Sequence, residues 1–168
     1  ARPADPGGLN YWLGQSIITL PRELADCIYG QAEYQDSTIS QLQVQDQIDQ
    51  LYLNLFGRHA DLEGLNYWTS QVKKGVYSLS NLVFDLLAAV DSPIQGNEEL
   101  AGQDALSTSN KVTAANSFTQ AVPLSKHGIH VYLPRTPVNE PWVSGPGFQV
   151  GKNFIASITS TNPATTES

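Results

Sequence analysis

The chain has one cysteine, and that excludes an intramolecular disulfide and any zinc cluster built on thiolates. Cys27 shares an apolar helix face with Leu20, Leu24 and Ile28, a placement that predicts a buried thiol packed as a small hydrophobe. Basic residues are scarce as well: nine Lys and Arg against sixteen Asp and Glu leave a net charge of −7. A phosphate backbone needs a concentrated basic surface, so no nucleic-acid partner is expected. The acidity is uneven, with fourteen of the sixteen acids falling before residue 123. No apolar run approaches the roughly 20 residues that cross a bilayer, which predicts a soluble chain without a membrane-spanning segment. Methionine is absent, and no basic segment leads into an apolar one at the start, so a processed chain or an excised piece is expected.

Recognisable catalytic signatures are missing too. There is no Gly-x-Ser-x-Gly elbow, no glycine-rich phosphate loop and no EF-hand loop. The carboxylate pairs Asp46/Asp49 and Glu98/Glu99 suit solvated helix faces and caps. His127 and His130 sit among prolines and glycines, where a strand would point them to opposite faces, and His59 lies in a loop. These absences predict no catalytic residue, no metal site and no cofactor.

What is present is a repeat. At an offset of 56, Arg2-Pro3-Ala4-Asp5-Pro6-Gly7-Gly8-Leu9-Asn10-Tyr11-Trp12 falls on Arg58-His59-Ala60-Asp61-Leu62-Glu63-Gly64-Leu65-Asn66-Tyr67-Trp68, with eight of eleven positions identical. Self-similarity at this period marks an array of supersecondary units. Each copy starts a helix, with Asp5 or Asp61 as the N-cap and Pro6 at the first helical position of copy one. Leu65, Trp68 and Val72 form one stripe, which predicts core positions for Trp12 and Trp68, and Gly75 is the stop. A second helix follows in each copy: Thr19 caps Leu20–Ile28 with Pro21 in the first turn, and Ser78 or Ser80 caps Leu82–Val90. By then three extra residues have raised the offset to 59.

Val44, Ile48, Leu51, Tyr52 and Leu55 give an amphipathic helix ahead of Arg58. Its counterpart ahead of Arg2 is not in the sequence, so the first unit is expected to expose an apolar stripe that a partner, a further helix or the C-terminal segment covers. Residues 94–109 read as a loop with one short helix around Glu98–Ala105. Residues 110–122 read as a weak closing helix with Val112, Ala115, Phe118 and Val122 on one side. Beyond Pro123, prolines and glycines forbid long helices, and Ile129–Leu133 and Phe148–Ile158 carry the composition of strands. The expected architecture is mainly α. A truncated unit (1–43) leads to a second unit with its closing helix (44–122), then a Pro/Gly-rich segment with a small β element and a tail (123–168).

The stretch Leu51 to Trp68, followed by Gly75, Ser78-Leu79 and Asp91-Ser92-Pro93, resembles a bacterial family of repeat domains of unknown function. Members occur in tandem in very large secreted proteins, including S-layer-like proteins, adhesins and type I secreted proteins with calcium-binding nonapeptide repeats. The resemblance covers about residues 1–122 and implies an extracellular or cell-surface address and a structural or adhesive role. It carries over no catalytic residue. The nonapeptide pattern Gly-Gly-x-Gly-x-Asp is absent here.

The leading expectation is therefore a non-catalytic assembly module whose partners are other copies of itself or the rest of a larger chain. The alternative is a glycan- or lipopolysaccharide-binding anchor, with Tyr11, Tyr67 and Trp142 as candidate contacts, and a weaker one is an accessory part of a secreted enzyme. Asp5, Asn10, Trp12, Arg58, Asp61, Asn66 and Trp68 are expected to hold the motif itself together. Arg58 is expected to pair with Asp61 or with helix-end carbonyls.

Overall fold

The computed structural model describes residues 2–4, 6–15, 20–121 and 146–164. Asp5, Thr19, Val122, His127, His130, Trp142 and the strand expected at 129–133 lie outside them. The described residues form helices and no strand: α1 Pro6–Leu13, α2 Pro21–Tyr29, α3 Ala32–Gln35, α4 Val44–Phe56, α5 Leu62–Lys73, α6 Leu82–Asp91, α7 Glu98–Ala121 and α8 Pro146–Ser157. None is long and apolar enough to cross a membrane.

The main core follows the heptad-like spacing of α4. Ile48, Tyr52 and Phe56 recur every four residues, so they share one face, and they meet Trp68 of α5 and Leu82 and Leu86 of α6. Leu65, Val72, Leu79, Leu87 and Val90 pack around this set. The ends of these helices obey local chemistry. Asp61 caps α5 by accepting the Gly64 N–H at 2.8 Å. At the other end Gly75, with φ of +73°, donates to the Val72 carbonyl while Val76 donates to that of Gln71, the paired bonds of a Schellman motif. Pro21 falls in the first turn of α2 as expected, but the N-cap there is Leu20 rather than Thr19, and that of α6 is Asn81 rather than Ser78 or Ser80.

Two expectations are corrected. Residues 98–121 are one continuous helix rather than a loop and a short closing helix. Its buried positions are Asp104, Ser107, Lys111, Ala114 and Thr119, a stripe at helical spacing made mostly of polar side chains, whereas Val112 points to solvent. An apolar periodicity could not show it. The strand expected over Phe148–Ile158 is instead α8. Gly151, Phe154, Ile155 and Ile158 fall at i, i+3, i+4 and i+7, and Gly151, Ile155 and Ile158 are buried against α7 together with Ala114. β-branched and aromatic composition suggested a strand, but this spacing decided for a helix.

Helix α7 is the spine. It packs against α4, α6 and α8. Its outer side chains from Gly102 to Ala121 are uncharged, because Asp104 and Lys111, the charges of that stretch, both turn inward. Lys111 Nζ donates to the Ile155 carbonyl at 3.0 Å and Asn110 Nδ2 to that of Thr159 at 2.9 Å. The ammonium thus meets the last turn of α8, the negative end of its dipole. Burial lowers the Lys111 pKa from the ordinary lysine value.

Candidate functional site

The repeated motif organises side chains in two places of the described structure. In the second copy, Asp61 caps α5 and Gly64 follows three residues later. A side chain at Gly64 would meet the Tyr52 hydroxyl at 3.0 Å and the Asp61 carboxylate at 3.2 Å. The glycine therefore admits Tyr52, whose hydroxyl accepts the Trp68 Nε1–H at 3.1 Å in the buried core. Trp68 is 8% exposed, the core position its stripe predicts. Burial raises the Tyr52 pKa, and the bond from Trp68 works against that rise.

Arg58 closes the turn between α4 and α5. Its Nε and one terminal nitrogen grip Asp104 at 2.8 and 2.6 Å, and the other terminal nitrogen donates to the His59 carbonyl at 3.0 Å. Asp61, the expected partner, lies at 3.9 Å and is secondary. The guanidinium also sits over the Tyr52 and Phe56 rings, 5.3 and 5.8 Å from their centroids. The hydrogen bond to Asp104 raises the Arg58 pKa further, so this cation is permanent. Asp104 lies 46 residues downstream on α7, and no local pattern announces it.

The first copy repeats the geometry. Arg2 Nε and a terminal nitrogen bind Glu33 at 2.7 and 2.8 Å, while the remaining nitrogen donates to the Pro3 carbonyl at 3.0 Å. In both copies the carboxylate comes from the helix that follows the second helix of the unit: α3 after α2, α7 after α6. The last turn of α4 and the loop ahead of α1 also lean on the spine. Thr108 Oγ1 donates to the Leu55 carbonyl and Thr119 Oγ1 to that of Ala4. The middle of α8 and the residues just after it support them as well. Gly151 faces Pro3 and the Phe118 ring, and Thr159 faces Gly57. The C-terminal segment thus touches the loop ahead of α1 at Pro3, while Leu20 and Ile28 of the first unit's apolar stripe stay exposed.

The two units also meet each other directly. At the offset of 59, Arg22 corresponds to Asn81 and Asp26 to Asp85. Arg22 binds Asp85 at 2.7 Å, and Asn81 Nδ2 donates to Asp26 at 2.8 Å. Position i of one unit contacts position j of the other and j contacts i, which is the rule of a two-fold interface, here within one chain. Arg22 also lies over the Phe84 ring at 5.3 Å.

The remaining expected residues are dispersed. Asn10 and Asn66 are exposed, and Trp12 is half-buried rather than core. Tyr11 is half-buried and meets Trp12 edge to face at 5.0 Å. Tyr67 is 48% exposed and meets Trp68 in the same way at 4.9 Å. Trp142 lies outside the described residues. His59 is exposed and bonded through Nδ1 to Asp49 at 2.7 Å. Burial pushes the Asp49 carboxyl up, but the bonds from His59 and the Ala60 N–H outweigh it and hold the group below its ordinary value. Cys27 is exposed, contrary to the expected buried thiol, because α2 turns its charged face toward α6. Among the described residues no three His, Cys, Asp or Glu side chains converge into a metal-holding group.

Fold and motif together define a pair of helical repeat units docked on a common helix. Residues 25–91, from within α2 to the end of α6, match the model of a family described as a domain of unknown function, DUF4214. This is narrower than the span of 1–122 expected from the sequence. No curated protein matches the chain. No solved structure matches it either.

Proposed function

We propose that the chain is a non-catalytic structural module of a large secreted or cell-surface bacterial protein, one that builds a surface layer, filament or adhesin by joining helical units. The observation that carries this reading is the reciprocal pairing of the two units, Arg22 with Asp85 and Asn81 with Asp26. The side chains that the repeat duplicates hold helices together: each motif arginine is committed to a carboxylate of its own chain, and Trp68 to Tyr52. A two-fold pairing closes on itself, so further units join such a pair through the surface it leaves open, as stacked helical units do. The extracellular address rests on the family resemblance of the motif.

A second reading, an anchor for surface glycan or lipopolysaccharide, draws on the half-exposed ring of Tyr67 beside Asn66, an aromatic face with a polar neighbour. A glycan array probed with the monomeric chain separates the two. The assembly reading expects no saturable binding. Binding that Tyr67→Ala removes would put the anchoring reading first.

A further inference from the structure

Helix α2 is amphipathic, yet it is turned the wrong way for a helix on a folded surface. Its polar positions Arg22 and Asp26 face the neighbouring helix α6, while Leu20, Cys27 and Ile28 face solvent, with Leu20 58% and Ile28 45% exposed and no residue of the helix buried. An apolar stripe ordinarily faces a core.

The second unit shows what belongs on this stripe. At the offset of 59, Leu20, Leu24, Cys27 and Ile28 correspond to Leu79, Val83, Leu86 and Leu87. Leu86 is 2% exposed, and Leu79 and Leu87 pack on the cluster that Ile48, Tyr52 and Phe56 of α4 form with it. Helices α2 and α6 therefore present matching faces to each other and matching apolar faces away from each other. On α6 that outer face is covered by α4. On α2 it is bare. The same difference appears at the tryptophans: Trp68 is buried against Tyr52 of α4, whereas its counterpart Trp12 is half-buried.

We infer that the outer face of α2 is a docking groove for an amphipathic helix with the pattern of α4, apolar at every fourth position with a tyrosine at the central one and polar outside. The internal repeat names the occupant, because the equivalent groove of the second unit holds such a helix. This deepens the assembly reading by specifying what joins one module to the next: a helix donated to the α2 groove.

Cys27, the sole thiol, lies in the groove and reports on it. The experiment titrates the full chain with a synthetic peptide of residues 43–57 and follows Cys27 modification by a thiol-specific disulfide reagent. Bound peptide should slow the reaction saturably, about tenfold once the peptide exceeds its Kd by about an order of magnitude. A peptide with Ile48→Asp and Tyr52→Asp should give no protection, and Ile28→Asp in the chain should abolish the effect while leaving its helical circular dichroism intact. An unchanged Cys27 rate at saturating peptide overturns the proposal. Protection that arises without peptide as the chain is concentrated, and that stops at a closed dimer, also overturns it, by making α2 of a second copy the occupant. The two readings fail separately. A chain that self-associates but leaves Cys27 unprotected by peptide keeps the assembly function and loses the groove. A strictly monomeric chain protected by peptide keeps the groove and loses the assembly function.

Discussion

Arg58 and Arg2 use the same donors in the same way, yet their surroundings give them unequal weight. Asp104 is 6% exposed at its side chain, whereas Glu33 is 33% exposed. Removing Arg58 leaves a carboxylate buried without its partner, so Arg58→Ala should cost about 2–4 kcal/mol. Arg2→Ala should cost less than about 1 kcal/mol, as exposed pairs do. Urea unfolding of the two variants checks the contrast. Lys111 gives a second prediction with a definite sign. Its folded pKa lies below the ordinary lysine value of the unfolded chain because burial disfavours the charge. Between the two values the unfolded state binds more protons, so stability rises with pH through that window. Relative to Lys111→Met, the natural chain should gain urea resistance as the pH rises from neutral toward about 10, the unfolded lysine pKa. A constant difference between the two across that range would contradict the assignment. At this scale the sequence revealed what spacing controls: the Asp61 cap, Gly75 as the stop and Trp68 in the core. The partner of Arg58 could not be read, because a contact across 46 residues exists only once α7 crosses the turn.

Helices α4, α5 and α6 were legible because apolar residues at i, i+3 and i+4 line one face of each and polar residues the other. Helix α7 was hidden by its own chemistry. Asp104, Lys111 and Thr119 are buried because they reach specific carbonyls or a guanidinium, so the inward stripe is polar. In α8 a glycine occupies one buried position, and the stripe therefore reads as broken. The helical assignment of α8 separates two substitutions. Ile155 is 4% exposed and Val150 60%. Ile155→Ala should destabilise the fold by about 2–4 kcal/mol. Val150→Ala should stay within about 0.5 kcal/mol, as a surface change does. Thermal unfolding decides, and equal losses would speak against the observed helical face.

At the scale of the whole molecule, a repeat that looked like a head-to-tail array is a pair of units facing each other, both resting on α7 and α8. The offset of 59 was available in the sequence, but the reciprocity was not, since it depends on which faces of α2 and α6 meet. If the Arg22–Asp85 contact sets that meeting, Arg22→Asp should lower the melting temperature by like-charge opposition. Adding Asp85→Arg should then restore much of the loss, and a double-mutant cycle measures the coupling. Under the proposed assembly role, the exposed outer face of α2 is where this pair of units would grow.

Such growth is read by sedimentation velocity of the full chain over a wide concentration range. The weight-average sedimentation coefficient should climb with concentration past the dimer value, and Ile28→Asp should suppress the climb. A coefficient that stays at the monomer value at every concentration would contradict it.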